Sequence, residues 1–178
     1  SKKGDKMIIK KIIDYFEKKY RAQKYWEKKG LKCGASCEIY EGASFGSEPY
    51  LITLGNHVRV NTGVFFVTHD GGTWVLRGLN NNQYKDIDLF GTINVGDNVH
   101  IGTNAIIMPG VNIGNNCIIG CGAIVTHDIP DNCIAVGVPA RVIESIDQYS
   151  EKHKESFLHT KLLTSTEKKE YLLNLRKK

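Results

Sequence analysis

At 178 residues the chain is long enough for one domain with a sizeable buried core and short appendages. Its formal net charge of +5 is uneven: residues 1–29 hold 11 Lys+Arg against 4 Asp+Glu and residues 145–178 hold 8 against 5, whereas residues 30–144 hold 5 against 10. An acidic middle between basic ends lacks the positive folded face of a nucleic-acid binder, so no nucleic-acid partner is expected and the end charges read as solvated faces of terminal helices. No apolar run approaches the roughly 18 residues of a membrane span and no signal-peptide pattern is present, which predicts a soluble, reduced, cytoplasmic protein without membrane insertion.

In chain order, Met7 to Lys29 places Ile8, Ile9, Ile12, Ile13, Phe16 and Tyr20, then less regularly Tyr25 and Trp26, at spacings of three and four. That spacing predicts an amphipathic helix within residues 1–30, ended by Gly30 and expected to cover an open edge of the domain behind it. From Cys33 a weak period of six begins as CGASCE, IYEGAS and FGSEPY. It slips by three residues, resumes at Leu54 as LGNHVR, VNTGVF and FVTHDG, and breaks off at His69, Asp70, Gly71 and Gly72. Residues 73–92 have no such register and carry Trp74, Arg77, Asn80 to Asn82, Tyr84, Asp86 and Asp88, an insertion of the length that more often carries function than not.

The period is regular from Val95 to Pro130, where the first places are Val95, Ile101, Ile107, Ile113, Ile119 and Val125 and the fifth places are Val99, Ala105, Val111, Cys117, Ala123 and Ile129. Each fifth place and the next first place stand two apart, so both side chains share one face of a short strand. The Gly or Asn that follows turns the chain by adopting φ > 0. Three turned segments close a triangular coil of eighteen residues, and stacked coils bury the aliphatic rows inside a prism of about four coils. Beyond Arg141 the tail, residues 143–178, is helical by composition, with Thr164-x-x-Glu167 as a capping box. Five cysteines, Cys33, Cys37, Cys117, Cys121 and Cys133, contain no C-x-x-C, so neither a zinc knuckle nor a redox pair is signalled.

His69 is the candidate catalyst. It ends the run Val64 to Val67, beside the long insertion and before glycines that leave the backbone open, and an imidazole there suits proton abstraction from a hydroxyl or amine. Asp70, Asp86 and Asp88 are carboxylates that stand near it in the chain, with no geometry to choose among them. Asp70 and Trp74, beside His69, are candidate substrate contacts.

The sixfold rows, with F-F-V-T-H-D-G-G before the insertion and G-V-P-A-R-V-I at the close, resemble the hexapeptide-repeat acyltransferases. The resemblance implies an all-β solenoid, a left-handed parallel β-helix over residues 31–142, assembled as a homotrimer with clefts between neighbouring prisms. It implies an acetyl-CoA-dependent O-acetyltransferase acting on a sugar hydroxyl, of a surface-glycan or capsule precursor, with His69 as general base. Asn61 matches an asparagine of the same cleft in galactoside and maltose acetyltransferases, which follow their histidine with proline where this chain has Asp70. On the acetyl-CoA side Thr103 and Cys121 match positions bordering the pantetheine arm, and Gly120 and Ala123 are small enough for a ligand to lie along the coil. Thr126 and His127 match a Thr-Lys pair near the nucleotide, and Arg141 matches a phosphate-facing arginine, while Glu144 replaces a second one. An N-acetyltransferase of an amino or nucleotide sugar, an antibiotic acetyltransferase and a non-catalytic scaffold are the alternatives. The γ-class carbonic anhydrases share the fold but need three clustered zinc histidines; His57, His69, His100 and His127 stand 12, 31 and 27 apart, so no metal is expected.

Overall fold

The computed structural model describes residues 11, 13–18, 21–80 and 82–175. The strands are β1 Lys32–Cys33, β2 Glu38–Ile39, β3 Ile52–Leu54, β4 Val58–Val60, β5 Phe65–Phe66, β6 Ile93–Val95, β7 Val99–Ile101, β8 Ile106–Ile107, β9 Asn112–Ile113, β10 Cys117–Ile119, β11 Ile124–Val125, β12 Cys133–Val136 and β13 Arg141–Ser145. They form three sheets, ordered β1-β3-β6-β9 (sheet A), β13-β12-β10-β7-β4-β2 (sheet B) and β11-β8-β5 (sheet C). Every pairing between these strands is parallel except that of β12 with β13. From β3 to β11 the chain visits A, B and C in unbroken rotation, the path of a parallel β-helix.

The registers measure the coils. Val99 lies beside Cys117 and Ile106 beside Ile124, each eighteen residues on, as the sixfold rows predict. Lys32 lies beside Thr53 and Glu38 beside Arg59, twenty-one on, so the three-residue slip belongs to this first coil. The excess is taken up between Ser44, which bridges Phe65, and β3, by a 3-10 turn at Pro49–Leu51. Between Phe65 and Ile106 the offset is forty-one because the insertion intervenes at the same C-to-A corner.

All twelve first- and fifth-place residues from Val95 to Ile129 are buried. Asn98, Asn116 and Asn132 take φ of 56°, 53° and 59° at the A-to-B corner and hydrogen-bond one to the next through their side-chain amides, 2.9 and 2.8 Å. Asn tolerates this left-handed backbone, and the amide ladder satisfies each turn with the next. Cys117 and Cys133 fill the core as small apolar groups; burial raises both thiols, Cys133 to about 11, which keeps them from acting as nucleophiles.

The predicted helix of residues 7–29 is not continuous. Residues 13–18 are helical, Arg21 leaves the helical region at φ −142° and ψ 48°, and α1 runs over Ala22–Lys28, with Gly30 at φ +104° after it. The break lets Ala22 and Trp26 turn inward. Trp26 packs 5.3 Å from Phe45, which stacks on Phe66 at 4.7 Å, so this short helix closes the first coil. Ile13 and Phe16, by contrast, stay 52% and 53% exposed. Ile8, Ile9, Ile12 and Tyr20 lie outside the described residues.

The chain divides into compact units at Ile146 and Asp147. Helix α3, Ile146–His153, begins at that division, and α4, Ser165–Leu175, lies in the second unit. Thr164 and Glu167 form the reciprocal capping box, Glu167 accepting from the Thr164 N–H at 2.8 Å and Thr164 Oγ1 from the Glu167 N–H at 3.3 Å. No described helix is long and apolar enough to cross a membrane. Phe45 is wholly buried between Trp26 and Phe66, and its replacement by Ala is expected to lower unfolding free energy by about 3–5 kcal/mol. Urea denaturation followed by circular dichroism measures this; a midpoint equal to that of the unmodified protein contradicts the packing.

Candidate functional site

Both interruptions of the sixfold rows fall at the C-to-A corner, one coil apart, and their stacking builds the site. The extra residues of the first coil carry Glu48; the insertion of the second starts at His69. Glu48 Oε2 accepts a hydrogen bond from Thr68 Oγ1 at 2.6 Å and lies 3.1 Å from His69 Nδ1. The Glu48 side chain is only 15% exposed, and Thr68 is buried beneath it. The Thr68 hydroxyl above all, with Ser47 and His69 adding to it, holds the Glu48 carboxyl below its usual range against the opposing effect of burial. The carboxylate therefore loses its charge only at a lower pH than an unperturbed glutamate does.

An ionised carboxylate only accepts hydrogen bonds. His69 Nδ1 must then carry the proton, and the neutral imidazole keeps its lone pair on Nε2. Sequence reasoning placed Asp70, Asp86 and Asp88 beside His69, and the structure assigns the orienting contact to none of them. Asp70 Oδ1 instead accepts from the Gly72 N–H at 2.7 Å, shaping its own turn, and Asp88 pairs with Arg77 at 2.7 Å. Glu48 was missed by sequence reasoning; the one signal that bears on it is the three-residue slip, which marks where the first coil swells.

The insertion is folded rather than open. Helix α2, Thr73–Arg77, follows the Asp70 turn, and Thr73 Oγ1 donates to the Asp70 carbonyl at 3.1 Å. Its base is closed by an antiparallel bridge between His69 and Phe90, with the Asp70 N–H on the Leu89 carbonyl and the Gly91 N–H on the Thr68 carbonyl, both 2.8 Å. Arg77 reaches back to the Ile87 carbonyl at 2.9 Å as well as to Asp88. Gly91 returns the chain against Pro109 and Gly110 so closely that a Cβ would overlap the Gly110 nitrogen.

His69 borders two clefts. One, of about 520 Å³, lies toward the insertion and is lined by Glu48, Asp70, Trp74, Arg77, Asp88 and Phe90 among others. The other, of about 510 Å³, runs along the corner past Val67, Phe90, Met108, Gly110 and Thr126. Thr126 belongs there by register, since the Val67 N–H bonds the Ile107 carbonyl and the Met108 N–H the Val125 carbonyl. His127 follows, its Nδ1 2.8 Å from Thr126 Oγ1. Trp74 is 74% exposed at the first cleft.

The remaining predicted residues stand elsewhere on this chain. Asn61, Thr103, Gly120 and Cys121 occupy the B-to-C corner, where the Asn61 N–H bonds the Ile101 carbonyl and the Gly122 N–H the Thr103 carbonyl. Asn61 lines neither cleft that touches His69; its amide meets His100 Nε2 at 3.3 Å. Gly120 is required by packing, because a Cβ would press on Val136 at 2.7 Å. Ala123 is not on the coil surface: it is wholly buried, an inner fifth place whose methyl fills the prism. Arg141, on β13, is exposed and donates to the adjacent Ala140 carbonyl at 2.8 Å. Among the described residues no group of three His, Cys, Asp or Glu side chains is gathered as metal ligands are.

The family model "Bacterial transferase hexapeptide (six repeats)" matches residues 92–127. Protein CapG of Staphylococcus aureus is 48% identical over 168 residues, covering 93% of this chain and 95% of that protein. Among solved structures, a maltose O-acetyltransferase from Clostridium difficile 630 superposes with a TM-score of 0.54 at 26% identity, over 69% of this chain and 73% of that one. The hexapeptide-repeat-containing acetyltransferase VCA0836 of Vibrio cholerae O1 biovar eltor, in complex with acetyl coenzyme A, gives 0.54 at 24% identity over 65% and 60%, a likeness of fold. With rows of six buried in three parallel sheets and a near full-length relative at this identity, the chain belongs to the hexapeptide-repeat acyltransferase family.

Proposed function

We propose that the protein is an acetyl-CoA-dependent O-acetyltransferase that acts in the cytoplasm on a sugar hydroxyl, with His69 as general base on a left-handed coil of about four turns. The observation that carries this reading is the His69–Glu48 contact between two clefts, one for each substrate. The sugar hydroxyl enters from the insertion side, against Asp70 and Trp74, and Nε2 takes its proton as the oxygen attacks the thioester carbonyl. A backbone N–H of a glycine-rich turn holds the oxyanion. Collapse expels the coenzyme A thiolate, which takes the proton from the imidazolium, so the products are an acetyl ester and coenzyme A. Similarity to a maltose O-acetyltransferase supports oxygen over nitrogen as acceptor. We place the sugar in a surface-glycan or capsule precursor on the family resemblance.

The donor we assign to the corner cleft at Thr126 and His127, and to Thr103, Gly120, Cys121 and Arg141. Thr126 and His127 lie on one corner and Thr103, Gly120 and Cys121 on another, separated by sheet C, with Arg141 on β13, and a trimer with sites between neighbours accounts for their division. The outward row of sheet C supports that assembly. Phe65, 48% exposed, and the half-buried Ile106 and Ile124 follow one another in register, whereas sheet A turns out Thr53, Asn94 and Asn112. The domain limits we adopt are residues 1–30, 31–142 with the insertion at 73–92, and 143–178.

Replacing His69 by Ala is expected to reduce turnover in a thioester-release assay by about a hundredfold or more while coenzyme A binding persists; undiminished turnover removes His69 as the base. Glu48→Gln keeps the shape but removes the charge opposite Nδ1. We expect about a tenfold or greater fall in kcat with the acetyl-CoA KM unchanged and an altered pH profile, whereas loss of KM alone marks a packing role. By sedimentation the protein is expected to be a trimer, and Phe65→Asp to yield monomers without turnover. A monomer that retains full activity overturns the shared site.

A further inference from the structure

The cleft on the insertion side carries a charge that proton abstraction does not require. Glu48, Asp70 and Asp88 line it against a single guanidinium, Arg77, which is committed to Asp88 and to the Ile87 carbonyl. With His69 in the neutral form that proton abstraction requires and Arg77 set against Asp88, two carboxylates remain unbalanced by any cation among the described lining residues. Trp74 stands open beside them as an aromatic face. We infer that this cleft selects its acceptor by charge, admitting a sugar unit that is uncharged or bears an amine and rejecting one that carries a carboxylate or phosphate close to the reacting hydroxyl. The inference rests on the reading of this cleft as the acceptor side and adds the class of sugar it takes.

The chemistry follows from the lining. Ionised carboxylates accept hydrogen bonds and cannot donate them, so they suit sugar hydroxyls and ammonium groups, and an aromatic face suits the apolar side of a pyranose. An acceptor anion faces Glu48 and Asp70 across a partly enclosed space, where like charges are screened less than in bulk water. Arg77 does not rescue it, because turning the guanidinium to the substrate leaves Asp88 unmatched and the balance of charge unchanged. Rejection of an anion in this way is specificity by repulsion.

The test compares methyl glycosides that differ in charge: methyl glucoside, the methyl glycoside of glucosamine and methyl glucuronide, with a uridine-diphosphate sugar as the phosphate-bearing case. Thioester release from acetyl-CoA by the unmodified protein is expected to give the glucuronide and the diphosphate sugar at least about tenfold lower kcat/KM than the other two, mostly through KM. The gap is expected to narrow at about 0.5 M salt and in Asp70→Asn, which keeps an Oδ1 to accept from the Gly72 N–H. Equal use of neutral and anionic acceptors, or a gap indifferent to both salt and Asp70→Asn, overturns the inference while leaving the acetyltransferase reading intact. No release with any of the four, together with no thermal shift from the neutral or amine-bearing glycosides, overturns the acceptor assignment itself and the charge selection with it.

Discussion

Parallel stacking of one coil on the next is the constraint from which the rest of the structure follows. Strands β1 to β11 have only two or three residues each, too few to hold a shape alone, and gain their order from backbone bonds to neighbouring coils. Such bonding requires that equivalent residues stay in register, and it is the inward aliphatic row, closed by left-handed Asn turns, that keeps them there. A shift by one residue would turn Ile101, Ile107 and Ile119 to solvent together. The regularity of these coils leaves the corners as the only places where extra residues fit without breaking a sheet.

The geometry of the candidate site is a product of that restriction. Extra residues in the first coil and the insertion in the second leave the prism at the same corner, so parallel stacking places Glu48 next to Thr68 and His69 although they are twenty and twenty-one residues apart. Neither Glu48 nor His69 lies in a strand of the three sheets. Glu48 is fixed by accepting from Thr68, a buried hydroxyl, and His69 by the strand-like bridge to Phe90. A rigid frame beneath the two insertions gives Glu48 and His69 a precision that a free loop does not have.

This also explains what could be read from the chain by itself. Rows such as Val95, Ile101 and Ile107 announce both burial and coil length, because one side-chain type recurs wherever the backbone points inward. His69 stood out because it ends such a row. Glu48 did not, since a carboxylate one coil away is adjacent only once the three-residue slip is assigned to a particular corner, and the sequence marks the slip without saying where its residues are placed. Ala123 misled for a related reason: small residues suit both a ligand-bearing surface and a crowded interior, and only the fifth-place position, which it shares with Ala105 and Cys117, decides between them. The break at Arg21 was hidden by helix-forming composition on both sides, and the packing of Trp26 on Phe45 overrode it.

The division of candidate residues between two corners has a further consequence for how such a site evolves. Within one prism His69 and Thr126 share a corner, so changes to the insertion alter the cleft on its side without disturbing the rows that carry the second cleft. Gly91 is the point where the two meet, since it brings the insertion back against Pro109 and Gly110 at a distance no larger residue allows. The loop is thereby free to vary between Asp70 and Asp88, where Arg77 ties its own ends together, and is held where it passes His69. On the proposed reading, acceptor choice and base placement are thus separable: the first resides in side chains of a self-contained insertion, the second in the register of the coils beneath it.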